Sequence, residues 1–125
     1  MDLKKITAIV RTFVLEDVEN RLKQLGVPGI TVTRVKGFGE WANFLTHDWM
    51  SAYARIDIFT DVAQAKQIVD TIMQVAHTGA AGDGIVAVLP VEGLFRIRDY
   101  RQLHALHGPS VLEDSSRSPG PVESR

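Results

Sequence analysis

The feature that most restricts this chain is a strand-like alternation followed by helical spacing, occurring twice in the same order. In residues 3–13 (LKKITAIVRTF), Ile6, Ala8 and Val10 share one face and Thr7, Ile9 and Arg11 the other, the period-two pattern of a half-buried strand. Leu15, Val18, Leu22 and Leu25 then recur at helical spacing, and Gly26 stands where a helix would end. After the turn Val27-Pro28-Gly29, residues 30–36 (ITVTRVK) are β-branched and alternate again. The second round begins at residues 52–59, where Ala52, Ala54, Ile56 and Ile58 oppose Tyr53, Arg55, Asp57 and Phe59. Thr60 or Asp61 caps the next helix, which carries Val62, Ala65, Val69, Ile72 and Ala76, with Asp61 and Gln64 at capping-box separation. Residues 85–91 (IVAVLPV) form a fourth strand, which Pro90 puts near a sheet edge.

Two βαβ units with right-handed crossovers predict an α+β, ferredoxin-like fold: a four-stranded antiparallel sheet carrying both helices on one face. The opposite face, with Thr7, Ile9 and Phe59, would expose an apolar patch, and oligomerisation is the physical remedy. Residues 94–98 (LFRIR) read as a short alternating segment that could reach a neighbouring subunit.

A chain of 125 residues has room for one domain. Residues 1–107 are expected to form it, and residues 108–125, with Pro109, Pro119, Pro121 and five serines, to be a disordered tail. The net charge of −1, with acidic and basic side chains balanced over residues 1–107, gives no general field for nucleic acid or an anionic membrane. With no cysteine, thiolate chemistry and cysteine-ligated metal sites are excluded. No apolar run is long enough for a membrane span and the first residues lack a signal peptide's apolar stretch, so a cytoplasmic protein is expected.

Three short segments carry candidate chemistry. Thr78-Gly79-Ala80-Ala81-Gly82-Asp83-Gly84 is glycine-rich, and two readings are open: a nest of backbone N–H groups for an anion, or a helix end followed by a tight turn. Its place after a helix and before a strand, with Ile85 following, excludes a dinucleotide fingerprint and a Walker loop. Arg96 and Arg98, if extended, would point to one side and grip a phosphate or carboxylate; a solvated edge is the alternative. Gly37-Phe38-Gly39 closes the second strand. Residues 40–51 read as a loop, and Trp41, Phe44, Trp49 and Tyr53 present too much apolar surface to stay solvated, so they dock on the protein's own assembly or on a partner. His47 and Asp48 lack a third ligand and make no metal site, and no nucleophile or carboxylate pair forms a catalytic constellation.

In order and spacing, Thr31–Gly39, Thr78–Gly84 and Arg96-Ile97-Arg98 resemble the PII family of nitrogen-regulatory signalling proteins, over residues 3–98. The resemblance implies a homotrimer with an adenine nucleotide in each cleft between subunits. Carried over, it puts Ile9, Gly37, Phe38, Gly39 and Phe59 around base and sugar on one subunit. Gly82, Asp83 and Gly84 form the phosphate nest, and Thr31, Arg96 and Arg98 reach in from the fold or its neighbour. Three positions depart from the family pattern. Ile85 replaces a lysine that meets the outer phosphates, Trp41 a glutamine used for metal and 2-oxoglutarate, and Tyr53 a lysine that meets 2-oxoglutarate. The expectation is therefore a non-catalytic sensor favouring ADP or AMP over ATP, with no metal. Residues 40–51, shorter than the family's T-loop, would engage a transporter or enzyme. The short loop looks closest to carboxysome- or bicarbonate-associated PII-like proteins, which makes bicarbonate a candidate second ligand. The alternatives are a weak nucleotide-hydrolysing enzyme, a trimeric adaptor with a vestigial cleft, and a nitrogen sensor binding ATP and 2-oxoglutarate.

Overall fold

The computed structural model describes residues 2–35 and 53–104. Gly37, Phe38, Gly39, Trp41, Phe44, Trp49 and the tail from 108 lie outside these residues. The elements are β1 (Leu3–Arg11), α1 (Leu15–Gln24), β2 (Thr31–Val35), β3 (Tyr53–Asp61), α2 (Val62–Ala76) and β4 (Gly84–Val91), followed by two short strands, β5 (Phe95–Arg96) and β6 (Arg101–Gln102). A single 3-10 turn, Thr12–Val14, joins β1 to α1.

The main sheet runs β2-β3-β1-β4, with every neighbour antiparallel. This is the expected double βαβ, and β4, which holds Pro90, is indeed an edge strand. Ile6, Ala8 and Val10 from β1 and Ile56 and Ile58 from β3 pack with Val18 and Leu22 of α1 and Ile68 and Ile72 of α2. Alternation in the strands and spacing in the helices thus aim at one core, and burying each such side chain contributes about 1.5–3 kcal/mol. At the start of α2 the Asp61 carboxylate accepts the Gln64 amide at 3.2 Å, which settles Asp61 rather than Thr60 as the cap.

The face away from the helices is less apolar than its alternation suggested. Cross-strand partners share a face, so Lys5, Thr7, Ile9 and Arg11 lie beside Phe59, Asp57, Arg55 and Tyr53. Asp57 sits in the middle. Its carboxylate accepts the Thr7 hydroxyl at 2.6 Å and Arg55 Nε at 3.1 Å, with Lys5 Nζ at 3.9 Å. Phe59, Ile85 and Leu89 remain apolar and exposed around that cluster.

Residues 94–98 are not the extended segment expected. Only Phe95 and Arg96 are strand, paired with Gln102 and Arg101, and the chain turns back through residues 97–100, with Tyr100 at φ 58°. The Tyr100 amide donates to the Ile97 carbonyl at 3.2 Å and the Leu103 amide to Leu94 at 2.7 Å. Arg98 stands in that turn, outside the strand, so the two-residue alternation that would align it with Arg96 does not apply. Arg96 instead reaches Asp99, at 2.7 Å and 3.2 Å, and lowers that carboxyl's pKa.

Candidate functional site

The turn between α2 and β4 is built around one carboxylate. Asp83 accepts the backbone amides of Thr78 at 2.8 Å and Gly79 at 2.9 Å, together with the Thr78 hydroxyl. Arg11 Nε approaches its other side at 3.4 Å. The Thr78 hydroxyl first, then the two amides and Arg11, hold the Asp83 carboxyl down at about 2. The sequence reading puts Asp83 in a phosphate nest. Its carboxylate is itself the anion in the first half of that nest, so an incoming anion meets only the second half, from Gly82 onward.

That second half is anchored to the sheet. Tyr53 and Arg11 face each other across β3 and β1. The Tyr53 hydroxyl donates to the Gly82 carbonyl at 2.8 Å, and Arg11 Nη2 donates to the Ala81 carbonyl at 2.7 Å. Gly82 lies at φ +94°, and a Cβ there would meet the Tyr53 hydroxyl at 2.9 Å and Arg11 Nη2 at 3.1 Å. Glycine is required for both backbone and space.

The sequence predicts that Tyr53 belongs to the exposed partner loop. It is only 2% exposed and tied to the glycine turn, so it is part of the site's frame. Sequence reasoning gives Arg11 no role at the site. The available signal is its place on the Ile9 face, one alternation beyond Ile9.

The predicted nucleotide residues divide into two groups within one chain. Ile9, Asp83 and Gly84 line a cleft at the β1 C-terminal end that α2 bounds through Met73, Ala76 and His77, with Ile85 beside them. Thr31, Phe59 and Arg96 line a second, shallower cleft with Pro28, Phe95 and Leu103. Ile9 pairs with Arg55 and Phe59 with Lys5, so four residues of β1, roughly 13 Å at the strand rise, separate the two. On one subunit Phe59 therefore stands four β1 positions from Ile9. It sits with Thr31 and Arg96, because strand register carries it to the far end of the sheet. Arg98 is exposed on the turn beyond β5. Among the described residues, no helix is long and apolar enough to cross a membrane.

A double βαβ sheet with one face free of helices and a carboxylate-centred glycine turn between α2 and β4 defines a ferredoxin-like α+β module. The nitrogen regulatory protein P-II family profile matches residues 3–101, and the chain belongs to that family. It is 36% identical over 103 residues to the nitrogen regulatory protein P-II of Azospirillum brasilense, covering 77% of this chain and 92% of the relative. It is 33% identical to the nitrogen regulatory protein GlnK of Escherichia coli, with the same coverage. Among solved structures, the crystal structure of Arabidopsis thaliana PII bound to citrate superposes with a TM-score of 0.69 at 30% identity, covering 86% of this chain and 94% of that one. These relatives are named as regulatory proteins, and the chain is accordingly a PII-type regulator.

Proposed function

We propose that this protein is a non-catalytic sensor that assembles as a homotrimer and binds an adenine nucleotide in each cleft between protomers, favouring ADP or AMP over ATP. The observation that carries the reading is the division of the nucleotide residues. The Ile9–Gly84 cleft, bounded by α2, and the Thr31–Phe59–Arg96 cleft on the open face each hold part of the predicted set, with Ile9 and Phe59 roughly 13 Å apart along β1 on one chain, and a second copy can bring one part against the other. The half-exposed apolar ring of Phe59, Ile85 and Leu89 supplies surface for that association.

Discrimination against ATP rests on Ile85. It follows the turn directly, pairs with Ile9 on the open face and is 42% exposed, so the turn has no cation of its own at that point for a third phosphate. A charge-assisted contact contributes about 1.5–3 kcal/mol, and without it the triphosphate loses its advantage. Bicarbonate is the proposed second ligand, and residues 40–51, with Trp41, Phe44 and Trp49, are proposed to engage a transporter or enzyme from the cytoplasmic side.

Calorimetry on the full chain with AMP, ADP and ATP, each with and without bicarbonate, tests this. ADP is expected to bind at least as tightly as ATP, and bicarbonate to change ADP affinity, as reciprocal linkage requires. ATP binding tenfold tighter than ADP would overturn the nucleotide preference. An ADP isotherm indifferent to bicarbonate removes the second ligand, and a monomeric protein with no affinity for any adenylate removes the whole reading.

A further inference from the structure

Arg11 and Tyr53 act on the glycine turn through its carbonyls, and the consequence falls on its amides. In a trans peptide unit the C=O of one residue and the N–H of the next lie in one plane and point in opposite directions. Arg11 holds the Ala81 carbonyl and Tyr53 the Gly82 carbonyl, both drawn toward the sheet. The N–H groups of Gly82 and Asp83 are thereby turned the other way, outward from those two side chains. Consecutive amides directed outward form an anion-binding concavity.

We infer that Arg11 and Tyr53 are positioning residues that aim the Gly82 and Asp83 amides at the phosphate of a bound ligand, a role that rests on the nucleotide reading above. Three observations converge on it. Both side chains come from adjacent strands in direct cross-strand register, so a packed sheet fixes their separation. Both crowd the space a Cβ at Gly82 would fill, which keeps the turn close to them. Arg11 also reaches Asp83, whose carboxylate is satisfied by Thr78 and Gly79 and so turned away from the concavity.

Neither residue needs to touch the ligand, so the test separates aiming from folding. Tyr53→Phe removes a single hydroxyl, Arg11→Gln removes the charge, and Arg11→Lys keeps the charge without the planar fork. Full-length variants, checked for native circular dichroism, are titrated with ADP and with adenosine, and amide resonances of Gly82 and Asp83 are followed on addition of ADP or inorganic phosphate. Tyr53→Phe is expected to weaken ADP by about threefold to tenfold and Arg11→Gln by about tenfold or more, with Arg11→Lys between wild type and Arg11→Gln. Adenosine affinity is expected to stay within about twofold, because only the phosphate contact depends on the aim. In the wild type the Gly82 and Asp83 amides are expected to shift on ADP addition, and to shift less in both Tyr53→Phe and Arg11→Gln.

Wild-type protein that binds no ADP overturns the nucleotide reading. Wild-type protein that binds ADP, with folded variants equally tight or equally weakened for ADP and adenosine, leaves that reading standing and overturns this inference alone. Should Tyr53→Phe fail to fold, the Arg11 pair and the wild-type amide shifts still decide: no shift at Gly82 or Asp83 under saturating ADP refutes it.

Discussion

Gly84 opens β4 at φ +111°, and an alanine Cβ there would stand 1.8 Å from the Ile9 carbonyl oxygen and 2.9 Å from its carbon. Both are backbone atoms of the central strand, so no side chain can swing aside. Relief requires β4 to part from β1 until the 1.8 Å contact exceeds the 3.0 Å below which real Cβ atoms essentially never approach, and the Val10–Gly84 end of the ladder opens. The left-handed backbone costs about 1–2 kcal/mol for alanine, and the opened ladder adds about 0.5–1.5 kcal/mol for each hydrogen bond lost. Gly84→Ala is therefore expected to destabilise by about 2–4 kcal/mol. Gly26 provides the internal control, at φ +92° with nothing within 4 Å of where an alanine methyl would stand. Gly26→Ala bears the backbone cost alone, about 1–2 kcal/mol. Urea unfolding followed by circular dichroism, at matched protomer concentration because assembly contributes to stability, measures both. If Gly84→Ala costs no more than Gly26→Ala, the reasoning from close strand approach is wrong.

Asp83→Asn tests the charge at the centre of the turn. A carboxyl lowered in the fold from 3.8 to about 2 contributes stability that is complete above its unfolded pKa and is lost as pH falls from roughly 4 toward 2. Its partial exposure trims the contribution to about 1–2 kcal/mol. The gap between wild type and variant should thus be steady at neutral pH and close in acid; a gap independent of pH down to 2 would refute it. Phe59→Glu places a charge on the open face and should shift the protein toward monomer by analytical ultracentrifugation while leaving helix content unchanged; an unaltered oligomer counts against that face as the contact. Ile72→Ala, in the centre of the core, should cost about 2–5 kcal/mol in the same urea assay, and a loss below about 1 kcal/mol would displace α2 from its assigned packing.

The alternation of Ile6, Ala8 and Val10, the helical spacing of Val18 and Leu22 and the cap at Asp61 are properties of contiguous residues, so the sequence alone determined the elements, their buried faces and the double βαβ plan. Family-like segments also marked the Gly82–Gly84 turn. Other features depend on which distant residues the sheet brings into register, and only the tertiary structure decided them. Arg11 and Tyr53 are 42 positions apart and meet over Gly82 because β1 and β3 pair antiparallel there. The same register sends Phe59 to the opposite end from Ile9. Arg96 shows the remaining case: its two-residue spacing from Arg98 predicted a shared direction, but the Ile97–Tyr100 turn and the Asp99 contact redirect it. Periodicity records which face a residue takes within its own element, whereas pairing register records which other element it meets there, and register is a property of the folded sheet as a whole.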